Sequence, residues 1–238
     1  MPVTELKADA RKLIMENAPK LFFVSIVYII ITNVMSEFQF RLPGFNAAYN
    51  RIMEQLMAWN MPEPGLLYSS FRPGGAVIAG VLWLLQPIIV TGFMSYCMNV
   101  RRRVGGDYKD ILNGFAYPAK VIMISLVTTI LTFLWTMLFI FPGIIASYRY
   151  RQAYYILLDD PEKGILQCIR ESKRMMHGNK LDLFLIDLSF IGWVLLDVIV
   201  VALLPLPFAL PVISIWYTPY MGLTHAAFYD RLLGKLIL

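Results

Sequence analysis

Residues 75–100 and 121–141 each run without a single Asp, Glu, Lys, Arg or His. Wound as helices at ~1.5 Å per residue, both runs match the ~30 Å depth of a bilayer's hydrocarbon core. Segments 21–36, 181–204 and 208–229 are nearly as apolar and are read as further spans. The chain is 58% hydrophobic and 16% charged, against about 45–50% and about 25% in soluble domains. A soluble core has no use for that excess, so the chain belongs in lipid. Its net charge of +5 comes from basic residues that flank the apolar runs. There they orient the chain and meet anionic lipid, and nucleic acid is not an expected partner.

The segment 144–158 is short for a span. Charge placement decides how to read it. Lys7, Arg11, Lys12 and Lys20, then Arg101, Arg102 and Arg103, then the basic stretch 163–180, and finally Arg231 and Lys235 lie on one side only if 144–158 crosses. The positive-inside rule therefore favours six spans with both termini cytoplasmic. Pro142-Gly143 and Pro205-Leu206-Pro207 become tight external turns. In the external loop 37–73, Phe45, Ala48, Tyr49, Ile52, Met53, Leu56 and Met57 recur at helical spacing, marking an amphipathic helix.

A second amphipathic helix is expected over 161–177 on the cytoplasmic side. Asp160 is its expected N-cap, Pro161 suits its first position, and His177-Gly178-Asn179 is its stop. Asp159-Asp160 is explained by capping. Arg170, Lys173 and Arg174 form its polar side, a candidate surface for anionic lipid or a protein partner. A weak internal repeat accompanies these signals: Lys20, Lys120 and Lys180 each open an apolar run, and a short, partly helical segment precedes each.

The expected fold is all-α: one polytopic membrane domain over 1–238, with about six transmembrane helices in three hairpins plus amphipathic interfacial helices. Cys97 and Cys168 match no metal or redox spacing and are read as small buried side chains. No nucleophile elbow, zinc motif, phosphate loop or dinucleotide fingerprint occurs, so neither catalysis nor a cofactor is expected.

Ionisable groups inside spans are costly and need partners. In the six-span arrangement Arg149 and Arg151 lie at about the depth of Asp197, so Asp197 is expected to pair with one of them. Asp187 and His225 complete the candidate intramembrane polar set. Its structural reading is a group of inter-helix ties, and its functional reading is a solute or proton path.

From Pro142 onward the motif order is specific. Pro142-Gly143-Ile144-Ile145 is followed by Ser147-Tyr148, Ala153-Tyr154-Tyr155-Ile156-Leu157 and Asp160-Pro161. Next come Ser172-Lys173, Gly178-Asn179-Lys180, Leu188-Ser189-Phe190-Ile191-Gly192-Trp193, Pro219-Tyr220 and Ala227-Phe228-Tyr229. Over residues 138–232 this resembles the bacterial integral-membrane family termed domain of unknown function 975. A more distant likeness is to the membrane domain attached to some glycerophosphodiester phosphodiesterases, whose soluble catalytic domain has no counterpart here. The resemblance implies a multi-pass protein of the bacterial cytoplasmic membrane and carries over no catalytic residue. Two functions stay open: a scaffold or accessory protein whose partners are the bilayer and other membrane proteins, and a transporter of a small solute or lipid using the Arg/Asp set.

Overall fold

A computed structural model describes residues 3–63, 65, 70–203 and 213–237. Among them every regular element is helical, as the apolar runs require. The elements are α1 (Val3–Arg41), α2 (Phe45–Met57), α3 (Pro73–Arg102), a 3-10 segment (Tyr108–Ala116), α4 (Pro118–Leu138) and α5 (Ile140–Tyr150). They continue with α6 (Ala153–Asp159), α7 (Ile165–Met175), α8 (Lys180–Leu188), α9 (Ile191–Leu203) and α10 (Ser214–Ile237). The expected turn at Pro205-Leu206-Pro207 and the first residues of the span 208–229 lie outside the described residues.

Among the described residues four helical stretches are long and apolar enough to cross a membrane: Val3–Arg41, Pro73–Arg102, Pro118–Leu138 and Lys180–Leu203, the last formed by α8 and α9 together. Their outer faces carry large exposed apolar side chains, among them Phe133, Met137, Leu195, Val198 and Ile199. An apolar surface of this extent is what lipid covers.

The chain forms two compact units, one of residues 1–29 and 87–238 and the other of residues 30–86. In the smaller unit, Arg72 donates its backbone N–H to the Pro43 carbonyl at 3.0 Å, and the Gln39 side-chain amide reaches Gln86 at 3.3 Å. Its helix α2 matches the amphipathic segment expected there, with Ala48 fully buried.

The larger unit holds the candidate site. Helix α1 is interrupted at Asn17, whose φ of −118° and ψ of 16° leave the helical range. Before that break Leu6, Ala10 and Leu13 share one helix face and are buried. The 3-10 segment before α4 and α7 before α8 repeat the pattern of a short helix ahead of a long apolar one. The 3-10 segment lies very close to α3. A β-carbon on Gly114 would overlap the Ile88 carbonyl oxygen, and one on Gly92 would overlap that of Ile111.

The reversal between α4 and α5 falls at Phe139, which is extended at φ −160° and ψ 148°. Pro142-Gly143 was expected to form this turn but lies inside the first turn of α5. Proline is tolerated there because the first N–H groups of a helix have no intrahelical acceptor. Gly143 then lets α5 approach α4 where a β-carbon would strike Thr136. The segment 144–158 is two helices, with a turn at Arg151-Gln152 between α5 and α6.

Candidate functional site

The site is built around Asp187, in the last turn of α8. The following residues, Ser189 and Phe190, turn the chain before α9 begins. The Ser189 hydroxyl donates to the Ile186 carbonyl at 2.6 Å, offering the backbone an alternative to the helical ladder.

Three side chains from three places converge on the Asp187 carboxylate. Arg151, in the turn after α5, donates through Nη1 to Oδ2 at 2.5 Å. Tyr148, on α5, donates its hydroxyl to the same oxygen at 3.0 Å. His225, on α10, lies with Nε2 2.8 Å from Oδ1. Facing a carboxylate oxygen, Nε2 carries the proton and donates it. The His225 side chain is only 9% exposed and that of Asp187 23%. Phe184 packs edge-on against Tyr148, with ring centroids 6.0 Å apart, and closes one side of the group. A partly buried carboxylate is affordable when a cation neutralises it and donors fill its lone pairs, and both conditions hold here.

Two members of the expected polar set stay outside this group. Asp197 pairs with neither arginine. It is buried on α9 and accepts from the Ile213 backbone N–H at 3.1 Å, just ahead of α10. A helix start offers unsatisfied N–H groups and a positive dipole end, so it satisfies a carboxylate without a cation. The Arg149 side chain is in no ion pair among the described residues, while its backbone carbonyl accepts from the Ser172 hydroxyl at 2.9 Å. The Arg–Asp lock therefore exists, but between Arg151 and Asp187.

A second ionic group was not anticipated. Arg102, at the end of α3, donates to Asp159 at the end of α6 through both terminal nitrogens, and to Asp230 on α10 through Nη2 at 2.7 Å. Arg101 reaches Asp230 through Nε at 3.0 Å, and Tyr229 donates to Asp159 at 2.7 Å. The Tyr229 ring stacks on Tyr155 at 5.0 Å, and both rings are buried. Asp159 is thus no helix-start cap: its carboxylate fastens α6 to α3 and α10. Asp160 instead shapes the following turn, accepting from the Glu162 N–H at 3.2 Å. The signal available beforehand was the meeting of an Arg101-Arg102-Arg103 run with scattered single carboxylates, and spacing alone does not say which of them fold together.

A cleft of ≈ 440 Å³ opens between α4 and α5, lined by Thr128, Thr132, Thr136, Ser147 and Arg151 among others. Several of its hydroxyls already donate within their own helices: Thr128 to Ile124 at 2.7 Å, Thr136 to Thr132 at 2.9 Å and Ser147 to Ile144 at 2.7 Å. Only their acceptor lone pairs remain for a ligand.

Helix α7 begins at Ile165, with Gly164 rather than Asp160 at its N-cap, and Gly178 follows its end at φ +79°. Most of its apolar face is not left for lipid: Cys168, Ile169 and Met175, with Met176 just past its end, are buried, while Leu166 is exposed. Arg170, Lys173 and Arg174 are exposed. Lys163 holds Glu171 at 2.8 Å. Desolvation opposes ionisation of Glu171, but the hydrogen bonds from Lys163 and Gln167 outweigh it and keep its carboxyl below the usual range. The same contact raises the Lys163 ammonium above its ordinary value against a smaller desolvation effect. Cys97 and Cys168 are free thiols, both buried as expected.

Residues 139–235 match the model of a family described as "Protein of unknown function (DUF975)". That segment contains Arg151, Asp187, His225 and both carboxylates of the second ionic group, while Arg101 and Arg102 precede it. No curated protein matches the chain. No solved structure matches it either.

Proposed function

We propose that this is a non-catalytic, multi-pass protein of the bacterial cytoplasmic membrane, with both termini cytoplasmic, that acts as a scaffold or accessory subunit through lipid and protein contacts. The observation that carries this reading is how the charges inside the bundle are used. Arg151, Asp187 and His225 satisfy one another, and Asp197 serves a helix start. These groups act as ties between helices, which is what a framework needs. The basic face of α7 is left exposed for a partner.

Site-specific photo-crosslinking in cells tests this. A crosslinker at position 173 is expected to trap one defined protein partner, and the adduct should be lost when Arg170→Glu/Arg174→Glu is combined with it. A crosslinker on the apolar face at position 133 should label lipid. Lipid-only labelling from both positions would sink the scaffold reading.

A second reading, transport of a small solute or lipid, is favoured by one observation: the cleft between α4 and α5 has Arg151 on its wall. Under that reading Thr132→Trp fills the cleft and abolishes the cellular phenotype of the gene while the protein stays folded. Under the scaffold reading the same variant keeps the phenotype.

A further inference from the structure

The Arg101-Arg102-Arg103 end of α3 has a feature that the ionic ties do not use. Arg103 stands at φ 57°, in the left-handed region. Its N–H donates to the Val100 carbonyl and the Val104 N–H to the Asn99 carbonyl, each at 3.2 Å. This is the closing motif in which glycine is the ordinary residue, because a β-carbon is disfavoured there. An arginine kept at that cost places three consecutive cations on the last turn of one helix. Strain of this kind points toward a use for the side chain.

The three arginines, together with Lys12, line a cavity of ≈ 290 Å³ whose other ionic residues are Asp9 and Asp230. Four cations and two carboxylates line it, and two more carboxylates, Asp159 and Glu16, touch it from outside, so the case for an anion rests on which donors are left uncommitted. Arg102 is committed to Asp159 and Asp230. Arg101 spends only Nε on Asp230, leaving its terminal nitrogens without a carboxylate among the described residues. Lys12 is in no ion pair among the described residues. Arg103 holds Glu16 at 3.2 Å, with side chains 69% and 40% exposed. An exposed pair of that sort contributes little and is readily exchanged for a stronger anion. The cavity lies where the uncharged run of α3 ends, the level at which headgroups meet a transmembrane helix. Guanidinium and ammonium donors together suit the oxygens of a phosphate.

We propose that this cavity binds the phosphate of an anionic phospholipid headgroup, with Lys12, Arg101 and Arg103 as its donors and Asp230 holding Arg101 in place. The assignment to the inner leaflet rests on the orientation proposed above, whereas the binding itself does not.

The test uses the full chain in a zwitterionic detergent, titrated with short-chain phosphatidylglycerol, with phosphatidylcholine of the same chains, or with inorganic phosphate. The readout is the midpoint of thermal unfolding. Phosphatidylglycerol is expected to raise the midpoint, less so as salt increases, while phosphatidylcholine and inorganic phosphate leave it near its starting value. Arg103→Gly should raise the starting midpoint by relieving the left-handed arginine. It should also weaken the apparent phosphatidylglycerol affinity about tenfold, equivalent to one lost charge-assisted contact. Lys12→Gln should weaken that affinity too, whereas Lys173→Gln/Arg174→Gln should not. A wild-type response in both Arg103→Gly and Lys12→Gln overturns the site. A full response to inorganic phosphate overturns the lipid assignment. Surface labelling of position 173 from outside the cell would overturn the leaflet and the proposed orientation, while leaving the phosphatidylglycerol response as it is.

Discussion

His225 donates from Nε2 to Asp187 across 2.8 Å, joining α10 to the end of α8 at the carboxylate that also holds Arg151. Removing the carboxylate strands a partly buried guanidinium. Asp187→Ala is therefore expected to cost about 2–4 kcal/mol, below the full value for a deeply buried pair because Arg151 keeps some solvent contact. Arg151→Gln combined with Asp187→Asn should cost less than the sum of the two single changes. Thermal unfolding in detergent measures all four variants, and strict additivity would remove the tie.

Asp197 is expected to behave differently, since its partner is a backbone N–H. Asp197→Asn keeps an acceptor and should cost under about 1 kcal/mol, while Asp197→Ala loses it and should cost about 1–2 kcal/mol. Arg149→Gln should leave the Asp197→Asn effect unchanged. Coupling between positions 149 and 197 in a double-mutant cycle would contradict the geometry.

Gly114→Ala places a methyl group on the Ile88 carbonyl, which belongs to backbone and cannot step aside cheaply. The expected loss is about 1–3 kcal/mol. Gly192→Ala, inside α9 with open space around it, serves as the control. Equal unfolding midpoints for the two variants would contradict the close approach of the 3-10 segment to α3.

The Lys163–Glu171 contact gives a signed pH dependence. Glu171 titrates below its ordinary value, so its stabilisation is present above that value and is lost as pH falls through the lowered one. Lys163 titrates above its ordinary value, so its share is present below that value and is lost as pH rises through the raised one. Both side chains are partly solvated, which limits the effect to ~0.5 kcal/mol. Glu171→Gln should flatten the acid limb of the unfolding-midpoint profile by that amount, and an unchanged limb would refute the contact.

Cys97 and Cys168 are both fully buried. A membrane-permeant maleimide should leave the native protein unlabelled and modify both thiols after denaturation in sodium dodecyl sulfate. Rapid labelling of the native protein at either thiol would contradict the packing around α3 or α7.

The uncharged runs made the long helices legible, because a segment without charge at that length has few alternatives. The short helix ahead of α8 was legible from its amphipathic spacing, and the one ahead of α4 only from the weak repeat in which a lysine follows each short segment. The Pro142-Gly143 turn was misread because proline breaks a helix interior but not its first turn, so the break moved back to Phe139. The pairing of Asp197 was misread for a related reason. Matching depths assumed a single straight helix over 144–158 and an unbroken one over 181–204. The turns at Arg151-Gln152 and Ser189-Phe190 change which faces meet, and the nearby start of α10 gave Asp197 an acceptor's role without a cation. The Arg102 group was invisible because its members are far apart in sequence.

The fork of Arg102 onto Asp159 and Asp230 also bears on modularity. The segment that resembles other proteins carries both carboxylates, while their cation sits upstream on α3. Transplanted alone into another protein, that segment would bring two acidic groups with no counter-charge, and α5 would lack much of the helix it packs along. The stretch that matches the family model is therefore smaller than the stretch that must fold together.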